Sequence, residues 1–311
     1  MIISASRRTD IPAFHMDWLL NRLREGHALV RNPVNPRSIT RVDLSREAVD
    51  GIVFWTKNPA PLLEHIGALD GWPFYVQFTL TGYGPDLEPR VPDRARRLDT
   101  FRALAARIGP DRVTWRYDPI ILSPAWPVAF HLETFEALCR ELAGSTTRCV
   151  ISVLDLYAKI RRPMLALGVR APSEGEAADL ARALHTLGAA HEITVSACCE
   201  PAFRAAGLPP ARCIDASQLA RPGEAPPAAR RDPGQRPACA CDRSVDIGHY
   251  GTCPHGCLYC YANPSRGRVL ERLGRYDPGA PMLCDAPGPD DRVTQPRPRR
   301  ASPGQGHLFQ D

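Results

Sequence analysis

Apolar and β-branched runs alternate with stretches of helical spacing over roughly the first 200 residues. The runs predict six strands, at residues 1–6, 51–56, 74–80, 112–122, 149–156 and 192–197. Apolar spacing predicts helices at 16–24, 98–108, 132–142 and 173–187, and the last begins with a capping-box pattern from Ser173 to Glu176. Strands that alternate with helices predict an α/β fold, with a parallel sheet covered by helices.

Polar side chains follow several of the predicted strands. Arg7, Arg8 and Asp10 follow the first strand, and Lys57 follows the second. In a (β/α) barrel these strand ends meet on one face, which carries the active site. We therefore expect a partial TIM-type (β/α)6 barrel in preference to a doubly wound sheet, with a C-terminal cysteine-rich segment that binds a cluster.

The same strand ends supply the candidate catalytic groups, which are Lys57, Arg116 and Asp118. Lys57 is one of only two lysines in the chain, which favours a role in a site. Arg116 and Asp118 have an alternative interpretation, since they can pair with each other as a structural latch.

The character of the chain changes after residue 221, where prolines accumulate and regular periodicity fades. We predict a barrel domain over 1–221, a cysteine-rich segment that packs on the barrel over 222–285, and a Pro/Arg-rich tail over 286–311. Basic residues exceed acidic ones by five, and nearly all are arginines. That bias is typical of genome composition, so the charge and the tail arginines Arg297, Arg299 and Arg300 support a nucleic-acid partner only weakly.

Cysteine is the most informative residue type, because nine of the eleven cysteines lie between Cys198 and Cys284. The N-terminus lacks the apolar core of a signal peptide, and no apolar run is long enough to span a membrane. We therefore expect a cytoplasmic protein without a membrane partner. In a reducing compartment, clustered thiols are more often metal ligands than disulfides.

Three of these thiols form a CxxxCxxC motif, at Cys253, Cys257 and Cys260. Three thiolates can bind three irons of a cubane and leave the fourth iron without a cysteine. The alternatives are a zinc site, with a fourth ligand such as His255 or Cys241, and thiols that bind no metal.

A second group contains Cys198, Cys213, Cys239 and Cys241, which are enough to complete a second iron–sulfur cluster or a zinc site. Cys199 is the less expected ligand, because adjacent strand residues point to opposite faces. The alternative is that these cysteines are small buried residues without a metal.

The motif and the aromatic residue after it, Tyr261, resemble the signature of the radical S-adenosylmethionine (SAM) superfamily. That resemblance implies a [4Fe–4S] cluster, bound SAM, cleavage of SAM to a 5′-deoxyadenosyl radical, and an electron donor such as flavodoxin or ferredoxin. From their place after the first strand, Arg7, Arg8 and Asp10 are candidate contacts for the carboxylate of SAM or for a substrate, with a surface salt-bridge cluster as the alternative, and Tyr261 of the motif is a further candidate for the cofactor. Those enzymes carry the motif after the first strand, whereas here it follows all six predicted strands.

A wider pattern resembles the family DUF1848. It comprises residues 4–12 (SASRRTDIP), 53–59 (VFWTKNP), 116–121 (RYDPII) and 246–263 (DIGHYGTCPHGCLYCYAN). Two of its strand ends, 56–59 and 116–121, are also similar to the spore-photoproduct-lyase-like branch of radical SAM enzymes. The expected function is therefore a radical SAM reaction on an unknown substrate. The alternative is a non-enzymatic zinc or iron–sulfur protein, such as a nucleic-acid partner.

Overall fold

The structure is a computed structural model that describes residues 1–220, 223–263 and 265–295. Its strands are β1 (Ile2–Ala5), β2 (His27–Arg31), β3 (Ser38–Asp43), β4 (Gly51–Thr56), β5 (Phe74–Thr79), β6 (Val113–Ile120), β7 (Arg148–Val153), β8 (Thr194–Ala197), β9 (Ser244–Asp246) and β10 (Arg292–Thr294). The six strands expected from the sequence are all present, each within three residues of its predicted ends.

The helices lie mostly between consecutive strands of the sheet. They are α1 (Ile11–Phe14), α2 (Met16–Glu25), α3 (Ala60–Glu64), α4 (Arg94–Ile108), α5 (Val128–Leu142), α6 (Ala158–Ala166), α7 (Glu174–Ala189), α8 (Pro201–Ala205) and α9 (Arg266–Leu273). The capping box at Ser173 is confirmed, because its side chain accepts from the Glu176 N–H while the Glu176 side chain accepts from the Ser173 N–H. Within the described ranges, no helix combines the length and the apolar character that a membrane span requires.

Seven strands form one parallel sheet in the order β8-β7-β6-β5-β4-β1-β9. From β1 to β8 the spatial order follows the chain order, without the reversal that defines a doubly wound sheet. The α/β class is therefore confirmed. In the part of the chain that the structure describes, β8 and β9 are the two edges of this sheet and do not pair with each other.

A smaller sheet has the order β10-β3-β2 and includes the antiparallel pair β2 and β3. The sequence analysis did not predict these strands, because they lie between helix α2 and strand β4 without clear apolar alternation. β10 begins within the segment expected to be an irregular tail, and it pairs in parallel with β3. The three tail arginines lie outside the described residues.

The segment after residue 221 contains more regular structure than we expected. β9 pairs in parallel with β1, with Ser4 opposite Asp246, and α9 follows the cysteine motif. Periodicity could not reveal β9, because a three-residue strand is too short to carry a pattern. Its pairing adds the cysteine-rich segment to the main sheet as a seventh strand.

The two faces of the sheet are covered by different parts of the chain. Strand residues such as Ile3, Phe54 and Phe78 belong to the large helix-covered core. The alternate positions Ile2, Val53, Tyr75 and Val150 pack against the segment that carries Cys213, Cys239 and Cys241. Since side chains alternate along a strand, the second face is covered by cysteine-bearing loops rather than by helices.

Candidate functional site

The CxxxCxxC loop begins seven residues after β9 and lies at the carboxyl end of the parallel sheet. All three motif cysteines are free. The loop turns at Gly256, whose φ of +70° is the left-handed region that favours glycine, and a Cβ there would lie 2.1 Å from the Arg90 side chain. The backbone of this motif therefore favours glycine between Cys253 and Cys257.

Backbone N–H groups of the loop donate to the cysteine sulfurs. Cys253 accepts from His255, and Cys260 accepts from Ala262 and Asn263. Burial raises the pKa of Cys253 and Cys260 above the ordinary value of a thiol, and it raises the pKa of Cys257 to about 12. These half-buried thiols need a cationic partner to become thiolates, and the N–H donors are already oriented toward the sulfurs.

Asp10 ties the loop to two strand ends. Its carboxylate accepts from the Ala13 N–H at 3.0 Å as the N-cap of α1, and from the Lys57 N–H at 2.8 Å after β4. It also lies 2.9 Å from Nε2 of His255, inside the cysteine loop. The buried Asp10 carboxylate is thus fully occupied by the protein, so the expectation that it contacts a cofactor gains no support from these contacts.

A buried carboxylate that the sequence analysis missed, Glu88, lies beneath the motif. It accepts from Lys57 Nζ at 2.9 Å, from Thr81 Oγ1 at 3.0 Å, and from the hydroxyl of Tyr259, the residue before Cys260. Burial alone would raise the pKa of Glu88, but the charges of Lys57 and Arg97 and these hydrogen bonds lower it below its usual value. Glu88 lies in an irregular loop after β5, where no pattern marked it.

Arg7 and Arg8 lie where β1 and β9 end side by side. Each guanidinium is 3.8 Å from a carboxylate oxygen of Asp246, and the Arg7 N–H donates to the same carboxylate at 2.8 Å. The Tyr261 hydroxyl donates to the Arg7 carbonyl at 2.6 Å. The structure therefore brings Arg7, Arg8 and Tyr261 together beside the motif, and both guanidinium groups are partly exposed.

The second cysteine group forms a ring of five thiols, which we call the thiol ring. Cys213 Sγ lies 3.5 Å from Cys198 Sγ, and further thiol hydrogen bonds join Cys213 to Cys241, Cys241 to Cys239, Cys239 to Cys199, and Cys199 to Cys198. The hydrogen bond from Cys241 lowers the pKa of Cys239 to about 6. The ring thus contains thiolate character, which is the form that binds metals.

Cys199 belongs to this ring although the alternation of a strand argued against it. The alternation does not apply, because β8 ends at Ala197 and Cys199 has a φ of +58°. A left-handed residue breaks the strand geometry, so Cys198 and Cys199 are both able to reach the ring.

Arg116 contacts the thiol ring rather than the CxxxCxxC motif. Its Nη1 donates to Cys213 Sγ and to Gln77 Oε1, each at 3.1 Å, and its Nη2 pairs with Asp118. The hydrogen bonds from Cys198 and Cys241, aided by this guanidinium, hold the pKa of Cys213 well below that of an ordinary thiol despite its burial. Arg116 therefore pairs with Asp118, as the structural interpretation expected, and contacts Cys213 at the same time.

Glu200 is a further group that the sequence analysis did not single out, although it directly follows Cys199. Its carboxylate accepts from the Val153 N–H at 2.9 Å, and burial raises its pKa to about 7. A polar residue after a strand was the available signal. A carboxyl group with this pKa beside Asp118 and Asp155 can exchange protons near neutral pH.

The remaining cysteines lie apart from both groups. Cys139 and Cys149 are buried in the helix-covered core, as expected from their positions in a helix and a strand.

Across the described residues, no group of three or more His, Cys, Asp or Glu side chains is arranged so that it could hold a metal ion. The thiol ring contacts are sulfur–sulfur hydrogen bonds, and the three motif thiols interact electrostatically with one another.

No curated protein and no solved structure matches this chain. The sequence matches the family "Domain of unknown function (DUF1848)" over residues 2–262, which include the strands from β1 to β9, the thiol ring and the CxxxCxxC loop. The chain therefore belongs to the DUF1848 family.

Proposed function

We propose that this protein is a radical SAM-type iron–sulfur enzyme in which Cys253, Cys257 and Cys260 hold a [4Fe–4S] cluster. The observation that carries this proposal is the combination of three free thiols in one loop with backbone N–H donors directed at their sulfurs. Hydrogen bonds to sulfur are among the features by which proteins tune iron–sulfur clusters. In a cubane each thiolate binds its own iron, so the three sulfurs need not converge on one ion.

The bound cluster and SAM would supply a one-electron cleavage that yields a 5′-deoxyadenosyl radical. The chain's own residues bind and orient the participants. Arg7 Nη2 donates to Ser244 Oγ at 3.3 Å and Arg8 Nη1 donates to the Gly248 carbonyl at 3.4 Å, so the other guanidinium N–H groups would bind the SAM carboxylate. Tyr261 fixes the loop against β1 through its hydroxyl. A flavodoxin or ferredoxin would deliver the electron at the exposed face of the loop, where Leu258 and Tyr261 are partly open to solvent.

A partial (β/α)6 barrel is part of the proposal. Cys198 directly follows β8 and Cys241 precedes β9, yet both thiols contact Cys213, although β8 and β9 are the two edges of the sheet and six strand spacings apart. In a flat sheet these edges would lie roughly 29 Å apart, so the shared contact with Cys213 favours strong curvature. β9 pairs with β1 on the edge opposite to β4 and so becomes the first strand of the curved sheet. The late motif would follow the spatially first strand, as in a permuted radical SAM fold.

For the thiol ring we propose a second metal centre, in which four of its five cysteines exchange their mutual hydrogen bonds for bonds to one metal ion. The 3.5 Å separation of Cys198 and Cys213 supports zinc over a second cluster. Sulfurs around one tetrahedral zinc lie roughly 3.8 Å apart, whereas the cysteines of a cubane bind different irons. Arg116 would neutralise part of the thiolate charge. A substrate would lie between the CxxxCxxC loop and the thiol ring. Lys57 would contact it from the side of the loop, and Arg116 and Asp118 would contact it from the side of the ring.

Anaerobic reconstitution with iron and sulfide tests the proposal. We expect a broad visible charge-transfer absorption, and 5′-deoxyadenosine on reduction with SAM present. Cys257→Ala should lose both, while Cys139→Ala, which changes a core cysteine, should keep both. A wild-type protein that binds only zinc and releases no 5′-deoxyadenosine would favour the non-enzymatic metal protein, whose binding to nucleic acid can then be measured directly.

A further inference from the structure

The two lysines of this chain both contact the CxxxCxxC loop. Arginine supplies every other cationic side chain among the 39 lysines and arginines. Lys57 Nζ lies 5.5 Å from the ring centroid of Tyr259, and Lys159 Nζ donates to the Tyr261 carbonyl at 3.0 Å. Tyr259 and Tyr261 are the two neighbours of Cys260, so both ammonium groups approach the same cysteine.

Lys57 is the more constrained of the two. Its side chain is 14% exposed, and it pairs at 2.9 Å with Glu88, which is 1% exposed. Glu88 in turn is held by Thr81, Tyr259 and Arg97. Lys57 therefore has one fixed position beneath the motif, whereas Lys159 lies on the exposed surface of α6.

An ammonium suits this position better than a guanidinium. It is a compact point charge that can fit between an aromatic face and one carboxylate, while the wide guanidinium fork prefers bidentate partners. The charge of Lys57 also acts on the sulfurs of Cys257 and Cys260, which lie two residues before and one residue after Tyr259.

We propose that Lys57 sets the reduction potential of the centre held by Cys253, Cys257 and Cys260, and that Glu88 is the residue that positions Lys57. This inference rests on the proposed function. Reduction adds one electron, hence one negative charge, to the thiolate-bound centre. A fixed ammonium beside it stabilises the reduced state, and net charge near a cluster is one of the features that set its potential.

A redox titration of the reconstituted protein, followed by electron paramagnetic resonance, tests the inference. Lys57→Met should lower the midpoint potential, so that the ratio of reduced to oxidised centre at a fixed potential falls about tenfold, equivalent to 59 mV for one electron. Lys57→Arg should restore most of the potential because it keeps the charge. Lys159→Met is the matched control, and its shift should be smaller because solvent screens its charge.

Glu88→Gln separates charge from structure. The glutamine oxygen can still accept from Lys57, so Lys57 stays in place while the opposing charge is lost, and the potential should rise. If Lys57 and Glu88 only support the structure, Lys57→Met and Glu88→Gln should shift the midpoint potential in the same direction or lose iron to the same extent. Iron-loaded Lys57→Met with an unchanged potential overturns this inference alone. A wild-type protein that binds no iron overturns the proposed function together with it.

Discussion

Arg116 Nη1 lies 3.1 Å from the sulfur of Cys213, although 97 residues separate them in the chain. The same guanidinium pairs with Asp118 and contacts the ring face of Trp55 at 4.9 Å. Burial opposes the charge of Arg116, but Asp118 and the ring cysteines raise its pKa well above its ordinary value. A buried cation thus anchors the sheet to the thiol ring.

Breaking that pair should be costly. Arg116→Met leaves the Asp118 carboxylate without its partner, so we expect the free energy of unfolding to fall by about 3 kcal/mol. The double variant Arg116→Met/Asp118→Asn should lose less than the sum of the single losses, because the second change removes the carboxylate charge that the first leaves unpaired. Urea unfolding of the metal-free proteins measures all three values. Strict additivity would contradict a direct interaction between the two residues.

The Asp10 carboxylate should hold the cysteine loop in place. Asp10→Ala removes the N-cap of α1, the acceptor for the Lys57 N–H and the partner of His255. Loss of the cap alone costs about 1 kcal/mol, and the unpaired buried donors add to it. We expect a loss of about 2–4 kcal/mol and faster amide hydrogen exchange in the loop around His255. Asp17→Ala, which changes an exposed carboxylate on α2, is the control and should leave loop exchange unaltered.

The two cysteine groups should bind metal independently. Cys239→Ala/Cys241→Ala should abolish the metal of the thiol ring while iron at the CxxxCxxC loop is retained, because separate segments supply the two groups. Inductively coupled plasma analysis of iron and zinc per chain measures both at once. Unchanged contents of both metals would mean that the ring cysteines are packing residues.

Buried His131 should make the protein less stable in acid. Its nitrogens lie 2.9 Å from the Tyr117 hydroxyl and from the Ile121 carbonyl, and burial lowers its pKa below 6.5. The unfolded chain therefore binds a proton first as the pH falls, so this histidine's contribution to stability is present above pH 6.5 and is lost below it.

We accordingly expect His131→Asn to flatten the fall in unfolding free energy between pH 7 and pH 5, even if its stability at pH 7 is lower. Urea unfolding at a series of pH values measures the slope. His185→Asn, which changes an exposed histidine on α7, is the control. An unchanged slope in His131→Asn would assign the acid sensitivity to other groups.

The local pattern of apolar and polar residues was sufficient to predict most strands of the main sheet. The six strands from β1 to β8 in the main sheet and the α7 capping box were predicted because periodicity and capping act between near neighbours in sequence. The family resemblance also extended along the chain, and the match over residues 2–262 bears it out. The sequence also identified the candidate chemical groups, in particular the eleven cysteines and the two lysines.

The sequence alone could not reveal what distant segments do to each other. β9 is only three residues long, and its role as a partner of β1 depends on long-range pairing. Glu88 gained its importance from four donors that come from separate elements. The inclusion of Cys199 in the thiol ring required a left-handed backbone that its strand-like surroundings did not indicate.

By itself the sequence determined the class of fold, the family and the thiol-rich chemistry, because each is set by residue type and short-range spacing. Only the tertiary structure decided which groups meet. It placed Arg116 against the thiol ring, Asp10 against His255 of the cysteine loop, and Lys57 against Glu88 beneath the cysteine motif. These pairings depend on burial and on contacts between segments far apart in the chain, which fix charges that no local pattern specifies.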